Sequence, residues 1–539
     1  MSISHFLFVT GPSRGTIGHS IPFVALAARL VQEQPGIIVT FPVLGEYGRL
    51  MEGQLEKYFP EDNLHLKGNV RFINLGGEGL AVYPLIAHLA QHFELFYSSI
   101  FDEKDIKCAT GRVYAALPKP RAALLDFFLY NLFLDIRKVS QNQVPVLAWN
   151  TTSSAYTMYY YGPKKYGGRG DISEKAVVLS EQNGTPFEQT EGELYISYSL
   201  QGNVVKLPGY PSLYDYEIVQ RDDLSLKRID GFTLTLLKTS YRFLRECDGM
   251  VSSSNEIYDH ELNAAFREWF SERNKAIYFI GPLLPPDMPQ SSSISHKKDL
   301  EISSNGKDIE LFLDKILESH GEKSLLYVAF GSYFWPKGDT IWKIFEVMVE
   351  LKIPIILSYS RNEEMPAHIK TLFESYDKVL ISKWAPQQSI LAHRVSKILN
   401  SLSLCSNLNE ATGWFMTHCG QNSTAEAISY GVPMIAWGLL GDQPINAVNV
   451  RLNHDVAYQL LEVRTGSGLK PLYRGVEPQG SIESAVEEFR HVWAKAQGED
   501  GARKRSNVQQ LKEKYKFLWE EGGSSLKDYK KFLQDYLKN

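Results

Sequence analysis

The fold is decided by the stretch THCGQNSTAEA, residues 417–427. An apolar run, WFMTHCG, leads into a Gly-Gln-Asn-Ser turn and then into a helical pattern, which predicts a buried strand followed by a helix. The start of a helix presents free backbone N–H groups and the positive end of the helix dipole, and Gly420 lets an anion approach closely. His418 adds a donor, as can Asn422 and Ser423. The stretch therefore predicts an α/β sheet with a diphosphate site, although Asn422 and Ser423 are also ordinary helix caps.

Residues on either side of this stretch have side chains suited to a nucleotide and a sugar. In WAPQ, residues 384–387, the Trp384 ring could stack on a base while the proline-fixed turn at Ala385 presents backbone groups to its edge. Glu426 lies one helical turn inside the anion site and could accept from ribose hydroxyls, as carboxylates do in other nucleotide sites. Asp442 and Gln443 follow the next strand and suit sugar hydroxyls. Taken singly, Trp384 could be a core residue and Glu426 a solvated helix charge.

Outward from this segment, the chain alternates strands and helices twice. The first series has a strand at 5–10, a glycine-bearing turn at 11–19 and a helix from about residue 21. Several further predicted strands are continuous apolar runs typical of parallel sheets. The first series has strands at 36–43, 70–75, 122–128, 144–149 and 249–254, and the second has strands at 325–332, 353–360, 379–386, 414–420 and 432–438. Between the series lies a serine-rich polar stretch without apolar periodicity. We therefore predict a domain at 1–285, a linker at 286–307, a second domain at 308–505 and C-terminal helices at 506–539.

Composition excludes several classes of function. The 539 residues carry a formal charge of −5 with a pI near 6.3, so no general basic field favours nucleic acid or an anionic membrane. The four cysteines form no C-x-x-C pair, which argues against a metal or redox site and favours a reducing compartment. The N-terminus lacks the features of a signal peptide, and no apolar run reaches the ~18 residues of a membrane helix. We expect a cytoplasmic protein without a transmembrane segment.

The motifs together resemble the donor-binding signature of family 1 glycosyltransferases, especially the plant secondary-product type. The signature reads WAPQ…LAH…F-x-THCGQNS-x-x-E-x-x-x-x-GVP…DQ in this chain. Weaker similarity covers nearly the whole sequence, including GHSIPFVALAARL at 18–30 and EEGGSS at 520–525. The resemblance implies a GT-B fold: two Rossmann-like domains, each with a doubly wound parallel sheet, facing across a cleft. It further implies that the donor binds the C-terminal domain and that the last helix crosses back onto the N-terminal one.

The resemblance also assigns the donor contacts one residue at a time. It places Trp384 against uracil, Gln387 and Glu426 on the ribose, Asp442 and Gln443 on the hexose, and Ser332, His418, Asn422 and Ser423 around the diphosphate. Ala385 and Gly420 contribute backbone groups. Gln421 departs from the family, which usually has Trp there, so one sugar contact is altered and the sugar is less certain.

For catalysis the resemblance points to His19 and Asp126. Both would sit at carboxyl ends of parallel strands. His19 would remove the proton of the acceptor hydroxyl, and Asp126 would orient the imidazole and stabilise its charged form. The family implies an inverting displacement without a metal or other cofactor, from a UDP-sugar, with UDP-glucose expected, to a hydroxyl of a small lipophilic acceptor. Loops around 76–100 and 156–220, rich in Tyr and Phe, are expected to form the acceptor pocket.

The signature is interrupted between His393 and Phe415. These residues enclose sixteen more positions than the family spacing, and removing 395–410, VSKILNSLSLCSNLNE, restores the pattern without remainder. Val-Ser can be encoded by a sequence matching a 5′ splice signal, and Glu can end in AG. Our hypothesis is a retained intron; a genuine loop insertion is the alternative. Transcript reads that join the codons of Arg394 and Ala411 would decide between them.

Two other classes of protein share parts of this sequence pattern. A catalytically silent nucleotide-sugar-binding homologue would share the donor signature, but the presence of both His19 and Asp126 favours an enzyme. A dinucleotide dehydrogenase would need G-x-G-x-x-G after the first strand, and Gly11, Gly15 and Gly18 have the wrong spacing.

Overall fold

A computed structural model describes residues 3–11, 17–59, 61–80, 82–197, 201–218, 231–285, 294–303, 305–332, 335–359, 364–393 and 411–537. It divides into two compact units. Unit 1 consists of Met1–Asp171, Asp230–Pro286 and Leu518–Asn539, and unit 2 of Ile172–Ile229 and Asp287–Phe517.

The strands, in chain order, are β1 Ser4–Val9, β2 Ile37–Val43, β3 Val70–Asn74, β4 Ile106–Lys107, β5 Val113–Tyr114, β6 Ala122–Asp126, β7 Val146–Asn150, β8 Val204–Val205, β9 Leu213–Tyr214, β10 Gly249–Ser252, β11 Ala276–Phe279, β12 Leu325–Ala329, β13 Ile355–Ser358, β14 Val379–Ser382, β15 Thr412–Thr417, β16 Met434–Ala436 and β17 Ala457–Gln459. The helices are α1 Ile17–Glu33, α2 Tyr47–Glu56, α3 Val82–Phe101, α4 Tyr130–Ser140, α5 Ser154–Tyr161, α6 Ile172–Asn183, α7 Phe187–Ser197, α8 Asp215–Ile218, α9 Gly231–Glu246, α10 His260–Ser271, α11 Ile294–Ile302, α12 Gly306–His320, α13 Thr340–Glu350, α14 Ala367–Glu374, α15 Gln387–Ala392, α16 Gln421–Tyr430, α17 Gln443–Val448, α18 Ile482–Gln497, α19 Glu499–Phe517 and α20 Ser524–Leu537.

Unit 1 is built on a parallel sheet whose described strands run in the order β11-β10-β7-β6-β1-β2-β3. The chain starts in the middle, at β1, proceeds outward through β2 and β3, and then returns to the other side of β1 with β6. The order therefore reverses between β1 and β6, which pair in parallel with Val9 opposite Leu125. Ligands of open α/β sheets bind at the carboxyl ends of the strands at such a reversal.

Unit 2 repeats this plan with the strand order β14-β13-β12-β15-β16-β17 over the described residues. Here the order reverses between β12 and β15, which pair in parallel with Ala329 opposite Thr417. The THCG turn follows β15 directly, so it lies at the switch point of this sheet. Both predicted parallel sheets are confirmed.

The central strands are buried along nearly their full length, as expected for parallel strands covered on both faces. β6, β7, β12 and β15 are buried at every position, and β1 is buried from His5 onward. Each unit has its own apolar core, one centred on β1, β2 and α1 and the other on β12, β13 and α13. Continuous apolar runs of this kind are the reason the strands could be placed from sequence.

The last helix, α20, packs within unit 1. Asp528 accepts hydrogen bonds from the Arg267 guanidinium at 2.8 Å and from the backbone N–H of Phe279 at 2.7 Å. The Phe532 ring lies 5.9 Å from that of Phe6. By contrast α19 packs on α16 and α18 in unit 2, and residues 172–218, which the sequence analysis assigned to the first domain, also belong to unit 2.

Several elements differ from the sequence-based expectation. The first long helix begins at Ile17 and not near residue 21, so Pro22 lies inside α1 and His19 lies in its first turn. Two strands of the main sheets were missed because they are short: β11, formed by Ala276–Phe279, and β17, formed by Ala457–Gln459. No helix among the described residues is both long and apolar enough to cross a membrane.

Candidate active site

His19 and Asp126 meet at the switch point of the first sheet. Nδ1 of His19 lies 2.6 Å from Oδ2 of Asp126. The carboxylate is almost inaccessible, with 3% of its side chain exposed, whereas 24% of the His19 side chain is exposed. The sequence thus brings together a buried carboxylate and a solvent-reachable imidazole from positions 107 residues apart.

The surroundings of this pair hold both side chains in place. The other carboxylate oxygen of Asp126 accepts from the backbone N–H of Phe128 at 3.2 Å. Trp149, fully buried at 0% exposure and stacked on Phe23, donates from Nε1 to the backbone carbonyl of His19 at 3.1 Å. The Phe128 ring lies 5.6 Å from the His19 ring. Trp149 and Phe128 were not singled out from the sequence, since an aromatic residue in or after a strand is usually a core residue.

The second site begins at the THCG turn between β15 and α16. Cys419 has φ of +62°, an uncommon left-handed conformation for a residue other than glycine. The turn is fixed on both sides, because Thr417 Oγ1 accepts from the N–H of Cys419 at 3.2 Å and Asn446 Nδ2 donates to its carbonyl at 2.9 Å. Gly420 is the N-cap of α16. This geometry turns the start of α16 toward the carboxyl edge of the sheet.

His418 is enclosed by glycine backbone. A Cβ atom at Gly331 would lie 2.8 Å from its Nε2, and one at Gly420 would lie 2.6 Å away, so a side chain at either position would displace the imidazole. Burial lowers the pKa of His418 to about 4, opposed by a hydrogen bond to the backbone of Ala329. The imidazole is therefore neutral at physiological pH in the absence of a ligand. In its expected role at the diphosphate, a neutral ring can donate one N–H.

The residues expected at the ribose are joined to one another. Gln387 Nε2 donates to Glu426 Oε2 at 2.5 Å, and Gln388 Nε2 donates to Glu426 Oε1 at 2.9 Å. Gln387 Nε2 also lies 3.1 Å from Ser423 Oγ, which ties the ribose residues to the start of α16. Gln388 was missed in the sequence analysis, although it directly follows the WAPQ motif.

Trp384 stands at the margin of this cluster with 37% of its surface exposed. Its backbone carbonyl accepts from the hydroxyls of Ser303 and Ser382, at 3.0 and 2.9 Å. The exposure argues against the core-residue alternative for Trp384. The adjacent Ala385 is buried.

Asp442 and Gln443 lie at the start of α17, near the same turn. Gln443 Oε1 accepts from the backbone N–H groups of Leu439 and Leu440, each at 3.0 Å. Asn446 Nδ2, which holds the carbonyl of Cys419, also lies 3.2 Å from Asp442 Oδ2. Asn446 therefore links the hexose-site residues to the diphosphate turn; sequence reasoning passed over it.

The remaining predicted donor residues occupy the same edge of the second sheet. Ser332 is exposed three residues after β12, and Asn422 and Ser423 are partly exposed in the first turn of α16. Gln421 is buried, with its Oε1 atom lacking a hydrogen-bond partner in the structure. The structure thus gathers the predicted donor residues in unit 2, and places His19 and Asp126 in unit 1.

Residues 395–410, the suspected insertion, lie outside the described residues. The chain on either side of them is well anchored. Thr412 Oγ1 donates to the carbonyl of Ile390 at 2.7 Å, and His393 Nε2 lies 3.2 Å from Asp314 Oδ1. The segment therefore enters before the amino end of β15, at the edge of the sheet opposite the THCG turn.

Two doubly wound parallel sheets of this kind are typical of the GT-B fold, and solved structures share the fold. Medicago truncatula UGT71G1 complexed with UDP-glucose has a TM-score of 0.65 and 19% identity, covering 99% of both chains. Phytolacca americana UGT2 complexed with UDP-2fluoro-glucose and pterostilbene has a TM-score of 0.64 and 18% identity, with the same coverage.

Sequence comparisons name the family. Residues 285–469 match the profile described as UDP-glucoronosyl and UDP-glucosyl transferase. The chain is 27% identical to UDP-glycosyltransferase eriJ of Hericium erinaceus over 94% of each protein. It is 29% identical to solanidine UDP-glucose glucosyltransferase 1 of Solanum tuberosum over 62% of each. The profile and these relatives support a family 1 UDP-glycosyltransferase, an enzyme that uses a UDP-sugar and a small-molecule acceptor.

Proposed function

We propose that the protein transfers a glucosyl group from UDP-glucose to a hydroxyl of a small lipophilic acceptor, with inversion at the anomeric carbon. The observation that carries the proposal is the 2.6 Å contact between His19 Nδ1 and Asp126 Oδ2 at the switch point of the first sheet. Support for the donor comes from relatives whose names or complexes include UDP-glucose or UDP-2fluoro-glucose.

In the proposed reaction Asp126 holds the proton of His19 on Nδ1, so Nε2 is the nitrogen that accepts a proton. The acceptor hydroxyl gives its proton to Nε2 while its oxygen forms a bond to the anomeric carbon. The bond from that carbon to the UDP oxygen breaks, and UDP leaves with the bonding electrons. Asp126 stabilises the imidazolium that results.

The leaving diphosphate is proposed to be neutralised at the start of α16 and not by a metal ion. The helix dipole and the N–H groups after Gly420 provide the positive potential. Trp384 is proposed to stack on uracil, Gln387 and Glu426 to bind the ribose, and Asp442 and Gln443 to bind the hexose. The predicted cytoplasmic location is part of this proposal.

The test is a measurement of UDP release from UDP-glucose with a panel of phenolic and alcoholic acceptors, with product mass and anomeric configuration determined. We expect β-glucosides from wild type and a rate lower by about 10²–10⁴-fold in His19→Ala. His65→Ala, at an exposed histidine of the same unit, is the matched control. UDP-glucose binding without acceptor-dependent UDP release would support the silent homologue instead.

A further inference from the structure

Helix α11 lies beside the residues of unit 2 that are assigned to uracil and ribose. It occupies Ile294–Ile302, in the serine-rich stretch before the second sheet, and it packs against α15. The turn after it is tight, because a Cβ atom at Gly306 would overlap the carbonyl oxygen of Leu300. This turn brings two polar side chains together, with Ser303 Oγ 3.3 Å from Asn305 Oδ1.

The end of α11 holds the backbone of Trp384. The Ser303 hydroxyl lies 3.0 Å from the carbonyl oxygen of Trp384. The Ser382 hydroxyl lies 2.9 Å from the same carbonyl oxygen and 2.8 Å from Asn305 Oδ1. The two hydroxyls supply one hydrogen each, which matches the two acceptors, and both serines are buried. The main chain that carries the Trp384 ring is therefore fixed, while the residue itself stays partly exposed.

Asp299, in the middle of α11, holds the start of α15. This helix begins at Gln387, and Pro386 before it has no side-chain acceptor that could cap the helix. Instead, Oδ2 of Asp299 accepts from the backbone N–H of Ser389 at 3.2 Å and from its hydroxyl at 2.9 Å. A carboxylate at this place also interacts favourably with the helix dipole. Asp299 is 4% exposed, and it fixes the helix start from which Gln387 reaches Glu426.

We propose that Asp299, Ser303 and Asn305 are positioning residues of the donor site, which hold the WAPQ motif in the geometry that binds uridine. They contact the motif at its first residue and in the helix that begins at its last residue, and all of them belong to unit 2. A segment that is fixed before the ligand arrives loses less entropy on binding, so these residues should contribute to affinity without touching the ligand. The inference rests on the proposed function, from which it takes the assignments of Trp384 and Gln387.

The test compares a ligand that carries the base and ribose with one that is only a diphosphate. The full-length protein is titrated by calorimetry with UDP and, separately, with inorganic pyrophosphate at constant ionic strength. Ser303→Ala and Asp299→Asn should each weaken UDP binding by about three- to tenfold and leave pyrophosphate binding unchanged. With a productive acceptor, the KM for UDP-glucose should rise in both variants while kcat stays unchanged.

Ser319→Ala and Asp308→Asn are the matched controls, because both residues are exposed on α12 in the same unit. Both variants should bind UDP like wild type. Trp384→Ala provides a second measurement, as a background for Ser303→Ala. Since Ser303 acts through Trp384, its substitution should weaken UDP binding less in Trp384→Ala than in wild type.

The proposal is overturned if Trp384→Ala weakens UDP binding while Ser303→Ala and Asp299→Asn bind UDP as tightly as wild type. It is also overturned if these two variants lose affinity for UDP and pyrophosphate equally, because that result would indicate a general effect on the fold. Unchanged UDP binding in Trp384→Ala has a different meaning: it would remove Trp384 from the uracil site, contradicting the proposed function and, with it, the role of Ser303.

Discussion

Gln387 and Glu426, 39 positions apart in the chain, are joined by a 2.5 Å hydrogen bond from Nε2 to Oε2. The bond connects the start of α15 to the second turn of α16, and Gln388 fixes the other oxygen of the same carboxylate. Glu426 is 8% exposed, so it is not the solvated helix charge that the sequence left open as an alternative. The carboxylate is held in one orientation before any nucleotide binds, which lowers the entropic cost of recognition.

Glu426→Gln should weaken the binding of UDP by about 10–100-fold. The substitution keeps the shape of the side chain but removes the charge that strengthens hydrogen bonds to the ribose hydroxyls, and such bonds are worth about 1.5–3 kcal/mol. Calorimetric titration with UDP measures the change. Glu374→Gln, at an exposed position of α14 in the same unit, should bind UDP like wild type. Unchanged affinity in Glu426→Gln would remove Glu426 from the ribose site.

Asp126→Asn should lower kcat by about 10²–10⁴-fold and leave the affinity for UDP unchanged. An amide cannot stabilise the imidazolium of His19, and its NH₂ group can turn toward Nδ1 and favour the wrong tautomer. Because Asp126 belongs to unit 1 and the predicted UDP contacts to unit 2, the two readouts separate catalysis from binding. Steady-state rates with a productive acceptor, together with UDP titration, make the test. Equal losses in Asp126→Asn and in the exposed variant Asp102→Asn would contradict it.

The sequence predicted those parts of the structure that leave a long or compact pattern in the chain, and it did not predict short elements. The central strands are buried on both faces and therefore appear as continuous apolar runs, which is why β1, β6, β12 and β15 could be located. The donor cluster could be found because its residues lie close together in one motif. β17 could not, since three residues carry no recognisable periodicity.

Residues that interact only across long separations in the chain could not be predicted from the sequence either. Asn446 joins Cys419 to Asp442 only after the chain has folded, and an asparagine within a short, fully buried helix gives no sign of that role. Residues 201–218 join unit 2 through contacts such as that of Tyr216 Oη with the carbonyl of Pro471, 255 positions away. No local pattern encodes a pairing at such a separation.

The stability of the protein should fall as pH decreases from about 6.5 to 4, with His5 contributing. Burial lowers the pKa of His5 to about 4, and its neutral ring donates from Nδ1 to the carbonyl of Pro118 and accepts at Nε2 from Thr40 Oγ1. Between these pH values the unfolded chain binds a proton that the folded chain does not, so stability is full above the unfolded pKa and is lost toward the folded one. One such group contributes about 1.4 kcal/mol per pH unit.

Urea unfolding of His5→Gln at several pH values checks this contribution. The variant should be less stable than wild type at pH 7, because glutamine replaces the ring imperfectly, but its stability should change less steeply between pH 6.5 and 4. His65→Gln, at an exposed position, should keep the wild-type slope. An unchanged slope in His5→Gln would show that folding does not lower the pKa of His5.

Deletion of residues 395–410 should leave the fold and the affinity for UDP-glucose intact. The flanking chain is already closed by the 2.7 Å bond from Thr412 Oγ1 to the carbonyl of Ile390, and it lies at the amino end of β15, away from the THCG turn. Shortening a loop changes the entropic cost of closing it only slightly, by about 0.6 kcal/mol for each halving of its length. Calorimetry should give a dissociation constant within about threefold of wild type, and the unfolding midpoint should not fall. A chain with these positions replaced by glycine and serine is the control: if it binds UDP-glucose and the deletion does not, the length is required, and the sixteen residues are a true part of the protein.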